Sequence, residues 1–188
     1  MARPRSDDKR DAIMAAAIKV IAAQGLGAPT AMIAKEAGVS NGSLFTYFPT
    51  KADLLNKLYL EVKSEAAEVA LDGMPAKANI RKQALHMWMN SVEWAVSSPD
   101  KRRVLALLTV SDDITPASRR IGHEVMAGVA KLIDQSRQDG PLRTAPLQFV
   151  VAIMSGVTDA TVEFMTKDKA NAEKHCIAGF DALWRAIT

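Results

Sequence analysis

The chain has 188 residues, of which 48% are apolar and 24% charged, and these ordinary values exclude wholesale disorder. No apolar run reaches the roughly 20 residues of a bilayer-spanning segment, and the charged first ten residues do not form a secretory signal. The single cysteine, Cys176, excludes an internal disulfide framework and is typical of a reducing compartment. We therefore expect a soluble cytoplasmic protein that does not contact a membrane.

The formal charge of +3 lies wholly in the first third of the chain. Residues 1–60 contain eight lysines or arginines and five carboxylates, whereas residues 61–188 contain sixteen of each. A basic N-terminal segment beside a neutral remainder is typical of a nucleic-acid-binding head on a neutral body. A solvated surface with a slightly basic end gives the same balance.

Helical periodicity runs through the whole sequence, and no segment alternates apolar with polar residues as a strand does. We therefore predict an all-α fold of about nine helices. The first three are predicted at 6–24, 29–37 and 40–48. Gly38 ends the second, and Ser40 caps the third. Thr50 and Asp53 form a capping box that begins a fourth helix, which reaches residue 71.

Longer helices are predicted in the rest of the chain, where prolines stand at several first-turn positions. Their predicted spans are 75–97, 99–110, 116–139, 146–167 and 169–187. The chain is thus divided into three parts by sequence. These are an N-terminal three-helix head over 1–50, a connecting helix over 51–72, and a larger helical body over 73–188.

A helix-turn-helix motif is predicted at about 29–48, where Gly38, Val39 and Ser40 join two short helices. Leu44 and Phe48 are four residues apart and are predicted to face the core of the head. The remaining residues of the third helix then point outward. Their small polar groups and bare glycine allow close approach to base edges in a major groove. An ordinary turn between two helices has the same pattern.

Two basic features beside this motif favour DNA as the partner. Lys51 lies in the first turn of the fourth helix, where a cation opposes the helix dipole unless an external anion such as phosphate is bound. A lysine that extends into water is the alternative. The N-terminal arm contains Arg3 and Arg5, which can lie in an adjacent groove or form a charged tail.

The stretch from Ile33 to Leu55, IAKEAGVSNGSLFTYFPTKADLL, resembles the TetR/AcrR family of transcriptional regulators. Proteins of that family share the pattern I-A-x-x-A-G-V-S-x-G-x-L-[YF]-x-[YH]-F-x-x-K-x-x-L. The preceding RDAIMAAAIKVIAAQGLG is similar to the family's first helix, so the resemblance covers about residues 7–60. It implies a ligand-responsive, sequence-specific repressor that binds a palindromic operator in double-stranded DNA as a homodimer.

The resemblance also implies which residues contact DNA. Those nearest the bases are Asn41, Gly42, Ser43 and Thr46. Those at the phosphates are Thr30, Tyr47 and Lys51. Phe45 is also predicted to contact DNA. Family members often carry Tyr at this position, and a phenyl ring lacks the hydroxyl that binds a phosphate. Ala28 stands where they often carry Thr or Ser, so the second helix is capped by Thr30 or not at all.

In the body, 73–188, the resemblance implies dimerisation through the last two helices and a pocket for a small apolar or amphipathic effector, with no cofactor. Apolar residues at helical spacing are the candidates for both surfaces, and packing within the chain is the alternative for each of them. The dimer candidates are Phe149, Ile153, Gly156, Val157, Ile177, Phe180 and Trp184. The pocket candidates are Trp88, Met89, Trp94, Met126, Met154 and Phe164.

Two other functions are alternatives to this interpretation. An enzyme is not expected, because His86, His123 and His175 lie far apart and the sequence contains no catalytic or metal-binding motif. No catalytic residue and no metal ligand is therefore assigned. A ligand-independent architectural DNA-binding protein is the second alternative, but coating DNA would be better served by a basic body than by the neutral residues 61–188.

Overall fold

The computed structural model describes residues 5–188, with side chains from residue 7 onward, so Arg3 and the side chain of Arg5 lie outside the described residues. Within this range the regular elements are ten α-helices and one 3-10 turn, which confirms the all-α prediction. The helices are α1 Arg5–Gln24, α2 Thr30–Glu36, α3 Asn41–Tyr47, α4 Lys51–Leu71, α5 Ile80–Ser97, α6 Pro99–Thr109, α7 Pro116–Val125, α8 Ala127–Ser136, α9 Leu147–Lys167 and α10 Ala172–Ile187. The 3-10 turn, Lys169–Asn171, precedes α10.

Local caps set the boundaries of the short helices, as the sequence predicts. Gly38 follows α2 with a φ of +68°, a conformation that glycine adopts without strain. The Ser40 hydroxyl accepts the backbone N–H of Ser43 at 3.0 Å and so caps α3. Thr50 and Asp53 each accept the other's backbone N–H at 3.0 Å, which confirms the capping box of α4.

Other helix boundaries differ from the prediction. α2 begins after Pro29 with no side-chain cap. α5 begins at Ile80 rather than 75, because the Asn79 side chain caps it while residues 75–78 form a turn. The predicted helix 116–139 is two helices, α7 and α8, separated at Met126, whose ψ of 2° is not helical. The last α-helix begins at 172, after the 3-10 turn.

Unit 1 is a compact unit formed, among the described residues, by residues 5–64 and 99–124. In this unit α1 packs against α2 and α6, around a core that includes Ile13 and Ile33. α7 approaches α4 so closely that a Cβ at Gly122 would lie 2.8 Å from the ring of Tyr59. The Asn56 amide donates to the Asp113 carbonyl at 2.8 Å and fixes the loop before α7.

Unit 2 comprises residues 65–98 and 125–188 and has its own core, built by α5, α8, α9 and α10. Trp88 lies at the centre of this core, and its indole N–H donates to the Cys176 carbonyl at 3.0 Å. The other two tryptophans of the chain, Trp94 and Trp184, pack against the same core. The nearly buried guanidinium of Arg137 donates to backbone carbonyls in the loop before α9 and holds that loop in place.

The two units do not follow the order of the chain. α6 and α7 were predicted as part of the body, yet they belong to unit 1, and α4 contributes to both units. The sequence could not show this, since helical periodicity does not tell which core a helix joins. The functional division into 1–50, 51–72 and 73–188 stays a prediction.

Candidate nucleic-acid interface and apolar surfaces

The inner side of the helix-turn-helix is closed by apolar contacts. Ile33 and Ala34 of α2 are 0% and 1% exposed, and Leu44 of α3 is fully buried. Phe48, just after α3, is 5% exposed. The predicted core positions Leu44 and Phe48 are thus confirmed, and the opposite side of α3 is left for solvent or a partner.

Six residues form the outer side of α3, which we call the α3 face: Asn41, Gly42, Ser43, Phe45, Thr46 and Tyr47. At about 100° per residue, Gly42 and Thr46 lie opposite the buried Leu44, at the centre of the face. The other four residues form two edges of neighbours four positions apart. These edges are Asn41 with Phe45 and Ser43 with Tyr47. All six predicted contacts in α3 therefore share one accessible surface.

The α3 face is small at its centre and contains no charged side chain. A Cβ at Gly42 would meet nothing within 4 Å, so another molecule can approach the backbone there. The Thr46 hydroxyl donates to the Gly42 carbonyl at 3.2 Å, so its proton is used within the helix while its oxygen can still accept a hydrogen bond. The phenyl ring of Phe45 is 39% exposed.

Cations occur in the helices on either side of α3 along the chain. Lys51 is half-buried in the first turn of α4 and has no ion-pair partner among the described residues. Lys35 is exposed in the last turn of α2. In contrast, Lys19 pairs with Glu36, and the hydrogen bond that its ammonium donates to this carboxylate raises the pKa of Lys19. Thr30, the first residue of α2, is half-buried.

Unit 2 contains a small enclosed void of about 20 Å³ with apolar walls. It is lined by Ala84, Met87, Trp88, Ile133, Ser136, Met154, Phe180, Leu183, Trp184 and Ile187. Of the predicted pocket residues, Trp88 and Met154 line it, and Trp94 and Met126 pack against the same core. A void of this size holds about one water molecule, whereas small-molecule sites usually measure 300 Å³ or more.

Two of the predicted pocket residues lie elsewhere. Met89 is 43% exposed on α5 and does not line the void. Phe164 is 56% exposed and lines a surface groove instead. Helical spacing placed both on apolar stripes, but neither side chain is directed into the core of unit 2. Ile133 and Leu183 also line the void. Neither was predicted, because no sequence pattern distinguishes the wall of a cavity from the rest of a core.

An exposed apolar surface covers α9 and α10, and we call it the α9–α10 face. It includes Phe149, Gly156 and Phe164 of α9, and the two phenylalanines are 54% and 56% exposed. An open groove of about 350 Å³ runs across it and is lined by Gly156, Val157, Ala160, Thr161, Phe164, His175 and Gly179. Three predicted dimer residues, Phe149, Gly156 and Val157, lie exposed or half-buried here, as does the half-buried Ile153. Ile177 is 37% exposed, but it lies two residues from both His175 and Gly179 and so points to the other side of α10.

The remaining dimer candidates belong to the chain's own core. Phe180 is 2% exposed, and its ring stacks on Trp184 with the centroids 5.7 Å apart. Trp184 is half-buried and packs against the same core. Because the chain itself covers Phe180, this residue is not available to a partner surface.

By length and composition, one helix among the described residues could cross a membrane, and that helix is α9. Of the most apolar 18-residue segment of α9, 17% is buried inside the structure. The inner side of α9 is a normal core surface, since Val150 and Val162 are 0% and 4% exposed. The apolar character of α9 thus has two origins, a side that packs on unit 2 and a side that is exposed.

Asp168 and Cys176 are titratable groups of unit 2 with shifted pKa values. The His175 ring lies 3.0 Å from the Asp168 carboxylate, and this hydrogen bond, with a second from Asn171, lowers the pKa of Asp168. Burial raises the pKa of the Cys176 thiol. Among the side chains described from residue 7 onward, no three His, Cys, Asp or Glu residues could hold a metal ion together.

Comparison with known proteins agrees with the geometry of unit 1. Residues 13–58 match the sequence profile of a family described as bacterial regulatory proteins, tetR family. A solved structure from Shewanella sp. PV-4, described as belonging to the tetR family of transcription regulators, is 28% identical, with a TM-score of 0.82 over 95% of this chain and 97% of that one. A TetR family transcription regulator from Marinobacter aquaeolei VT8 shares the fold at 23% identity, with a TM-score of 0.85 over 99% and 98%. The regulator FadR from Bacillus subtilis, solved in complex with stearoyl-CoA, shares it at 20% identity, with a TM-score of 0.69 over 95% and 100%.

Proposed function

Since the chain belongs to the tetR family of bacterial regulatory proteins, which are DNA-binding transcription regulators, we propose that it is a ligand-responsive repressor that binds a palindromic operator as a homodimer. The observation that carries the proposal is the α3 face. It is uncharged, open at Gly42, and followed by a lysine in the first turn of α4 that has no ion-pair partner among the described residues. A repressor of this kind acts in the cytoplasm, where its operator lies.

In the proposed complex, α3 enters the major groove of double-stranded DNA. Gly42 and Thr46, at the centre of the α3 face, lie nearest the base edges, with Asn41 and Ser43 beside them. Because phosphates position a protein without conveying sequence, we assign that role to groups at the border of the face. These are the Tyr47 hydroxyl, the Lys51 ammonium, Thr30, and the arm residues Arg3 and Arg5.

The homodimer is proposed to form through the α9–α10 face. Soluble monomers seldom leave large apolar side chains such as Phe149 and Phe164 exposed on one surface. Two copies related by a twofold axis would bury each other's α9 and α10 in a four-helix seam. Gly156 has open space around it, so a helix of the second copy can approach its backbone closely.

The effector is proposed to bind in the core of unit 2, where the small void lies beside Met87, Trp88 and Met154. Methionine side chains rearrange readily around irregular apolar guests. The walls contain one hydroxyl, that of Ser136, and it already donates to the Leu132 carbonyl at 2.8 Å. A small apolar or amphipathic effector therefore matches the lining, and the core must open to admit it. The stearoyl-CoA bound by FadR is likewise amphipathic, although it is a much larger molecule.

The decisive experiment selects bound sequences from random duplex DNA with the purified full-length protein. A palindromic consensus, with half-sites about 10 base pairs or a multiple of that apart, is the expected result. Gly42→Glu is the matched control: the site has room for the side chain, but a carboxylate at the groove repels phosphate, so enrichment should be lost. Equal binding to every duplex would contradict the proposal and favour an architectural protein.

A further inference from the structure

The α3 face has a chemical bias that bears on which bases it selects. This inference rests on the proposed function, since it assumes that α3 lies in the major groove. In that groove each base pair presents a distinct set of donors, acceptors and methyl groups, so the groups available on the helix limit the pairs it can recognise.

The first limit concerns guanine. The commonest specific contact to guanine is a bidentate hydrogen bond from Arg or Lys to its O6 and N7 acceptors. The six residues of the α3 face include no guanidinium and no ammonium. The Thr46 hydroxyl cannot take their place without breaking its bond to the Gly42 carbonyl, because its single proton is already donated there.

The second limit concerns the edge formed by Asn41 and Phe45. These residues are four positions apart, so their Cβ atoms lie about 5–6 Å from each other on one edge of the face. Asn41 is exposed, and its amide combines a donor with an acceptor, the pair that matches adenine N7 and N6. The Phe45 ring is 39% exposed and offers only apolar contact, for which the thymine C5 methyl is the matching group in the major groove.

We propose that the Asn41–Phe45 edge of α3 selects adenine–thymine pairs in each half-site, Asn41 through adenine N6 and N7 and Phe45 through a thymine C5 methyl. The spacing of the two side chains fits base pairs one or two steps apart, since successive pairs are stacked about 3.4 Å apart. Thr46, whose oxygen can still accept a hydrogen bond, is compatible with the same pairs.

The test replaces thymine by uracil, which removes the C5 methyl and keeps the Watson–Crick pairing. Each thymine of the selected operator is replaced in turn, symmetrically in both half-sites, and the affinity of the full-length protein is measured by fluorescence anisotropy. At one position the loss for the wild type should be about fourfold per half-site, the value expected for one buried methyl group. Phe45→Ala should be insensitive to that replacement, whereas the control Lys19→Ala, whose ammonium is already paired with Glu36, should keep the full sensitivity.

A parallel measurement tests the amide. Replacing the neighbouring adenine by 7-deazaadenine removes N7, and it should weaken the wild type but not Asn41→Ala. If the selected palindrome has only guanine–cytosine pairs in the half-site centres, or if wild-type affinity is unchanged by uracil at every position, the base assignment is overturned while the regulator itself stands. If no sequence is enriched at all, the proposed function and this inference fall together.

Discussion

The α3 face and the α9–α10 face differ only on their outer sides. Each is backed by a fully buried residue, Leu44 in α3 and Val150 in α9, so both helices are anchored to a core in the same way. Outward, α3 shows glycine, hydroxyls, an amide and a single phenyl ring, whereas α9 and α10 show phenylalanine, valine and isoleucine. Small groups with hydrogen-bonding capacity suit a hydrated polyanion, and large apolar side chains suit another protein. The contrast supports the proposal that each surface has a separate partner.

The largest expected effect comes from placing a charge on the apolar α9–α10 face. Phe149→Asp should weaken dimerisation by at least about a hundredfold, because the seam would bury an unpaired carboxylate from each copy. The monomer should fold normally, since Phe149 is 54% exposed. Sedimentation equilibrium at micromolar concentration measures the change. The control is Met89→Asp, at a 43% exposed position outside the face. If Phe149→Asp dimerises as strongly as the wild type, the proposed α9–α10 dimer interface is wrong.

On the α3 face, Thr46→Ala should change which base pair is preferred at one position of each half-site. The discrimination lost should be about 1–3 kcal/mol, the usual value for one good base contact. Repeating the sequence selection with the variant measures this directly. An unchanged consensus would mean that the centre of the α3 face does not lie against the bases.

Lys51→Ala should weaken binding to every DNA sequence alike, because the contact proposed for this ammonium is to a phosphate. Affinity falls with salt concentration on a logarithmic plot, and this dependence should become shallower by about one unit of slope for each Lys51 that contacts a phosphate. Lys19→Ala is the matched control, since the Lys19 ammonium is already paired with Glu36. Equal effects of the two substitutions would show that only overall charge matters.

Two open glycines, one on each surface, allow a finer comparison. A Cβ at Gly42 or at Gly156 would meet nothing within 4 Å, so alanine at either site should raise the free energy of unfolding by up to about 1 kcal/mol. Gly42→Ala should then weaken DNA binding alone, and Gly156→Ala dimerisation alone. Gly122→Ala is the contrasting variant, because its Cβ would lie 2.8 Å from Tyr59 and should destabilise the fold. If Gly42→Ala weakened dimerisation, or Gly156→Ala weakened DNA binding by the preformed dimer, the two surfaces would not be separate.

The smallest effect expected concerns Asp168, whose partner His175 lines the groove of the α9–α10 face. The pKa of Asp168 is lowered in the folded chain, so its contribution to stability is present above the ordinary carboxyl pKa of about 4 and is lost as pH falls through the lowered value. Urea unfolding across acidic pH should show a steeper loss for the wild type than for Asp168→Asn. Parallel curves would show that the contact contributes nothing.

The head could be predicted closely because its structure depends on short-range chemistry. The Ser40 cap and the Thr50–Asp53 capping box are satisfied within three residues, so the sequence contains all the information that the backbone uses. The predicted start of α5 at Pro75 was wrong, because a proline is compatible with a first turn but Asn79 caps the helix that forms. A competing local cap decided that boundary.

Long-range contacts explain the other differences. The break between α7 and α8 at Met126 lies between two glycines that meet side chains of α4, Tyr59 against Gly122 and Leu71 against Gly128. No periodicity indicates such contacts. Similarly, Phe149 and Phe180 both lie on apolar helical stripes, yet one is 54% and the other 2% exposed. Periodicity identifies an apolar side but not what covers it, so the dimer and pocket residues could be only partly selected.

The distribution of aromatic residues gives each unit its own optical label. All three tryptophans lie in unit 2, and both tyrosines, Tyr47 and Tyr59, lie in unit 1. Light absorbed only by tryptophan therefore reports on unit 2, where Trp88 sits beside the small void. If tryptophan emission changes when operator DNA is added to the unlabelled protein, the binding signal has travelled from the head into the core that would hold the effector.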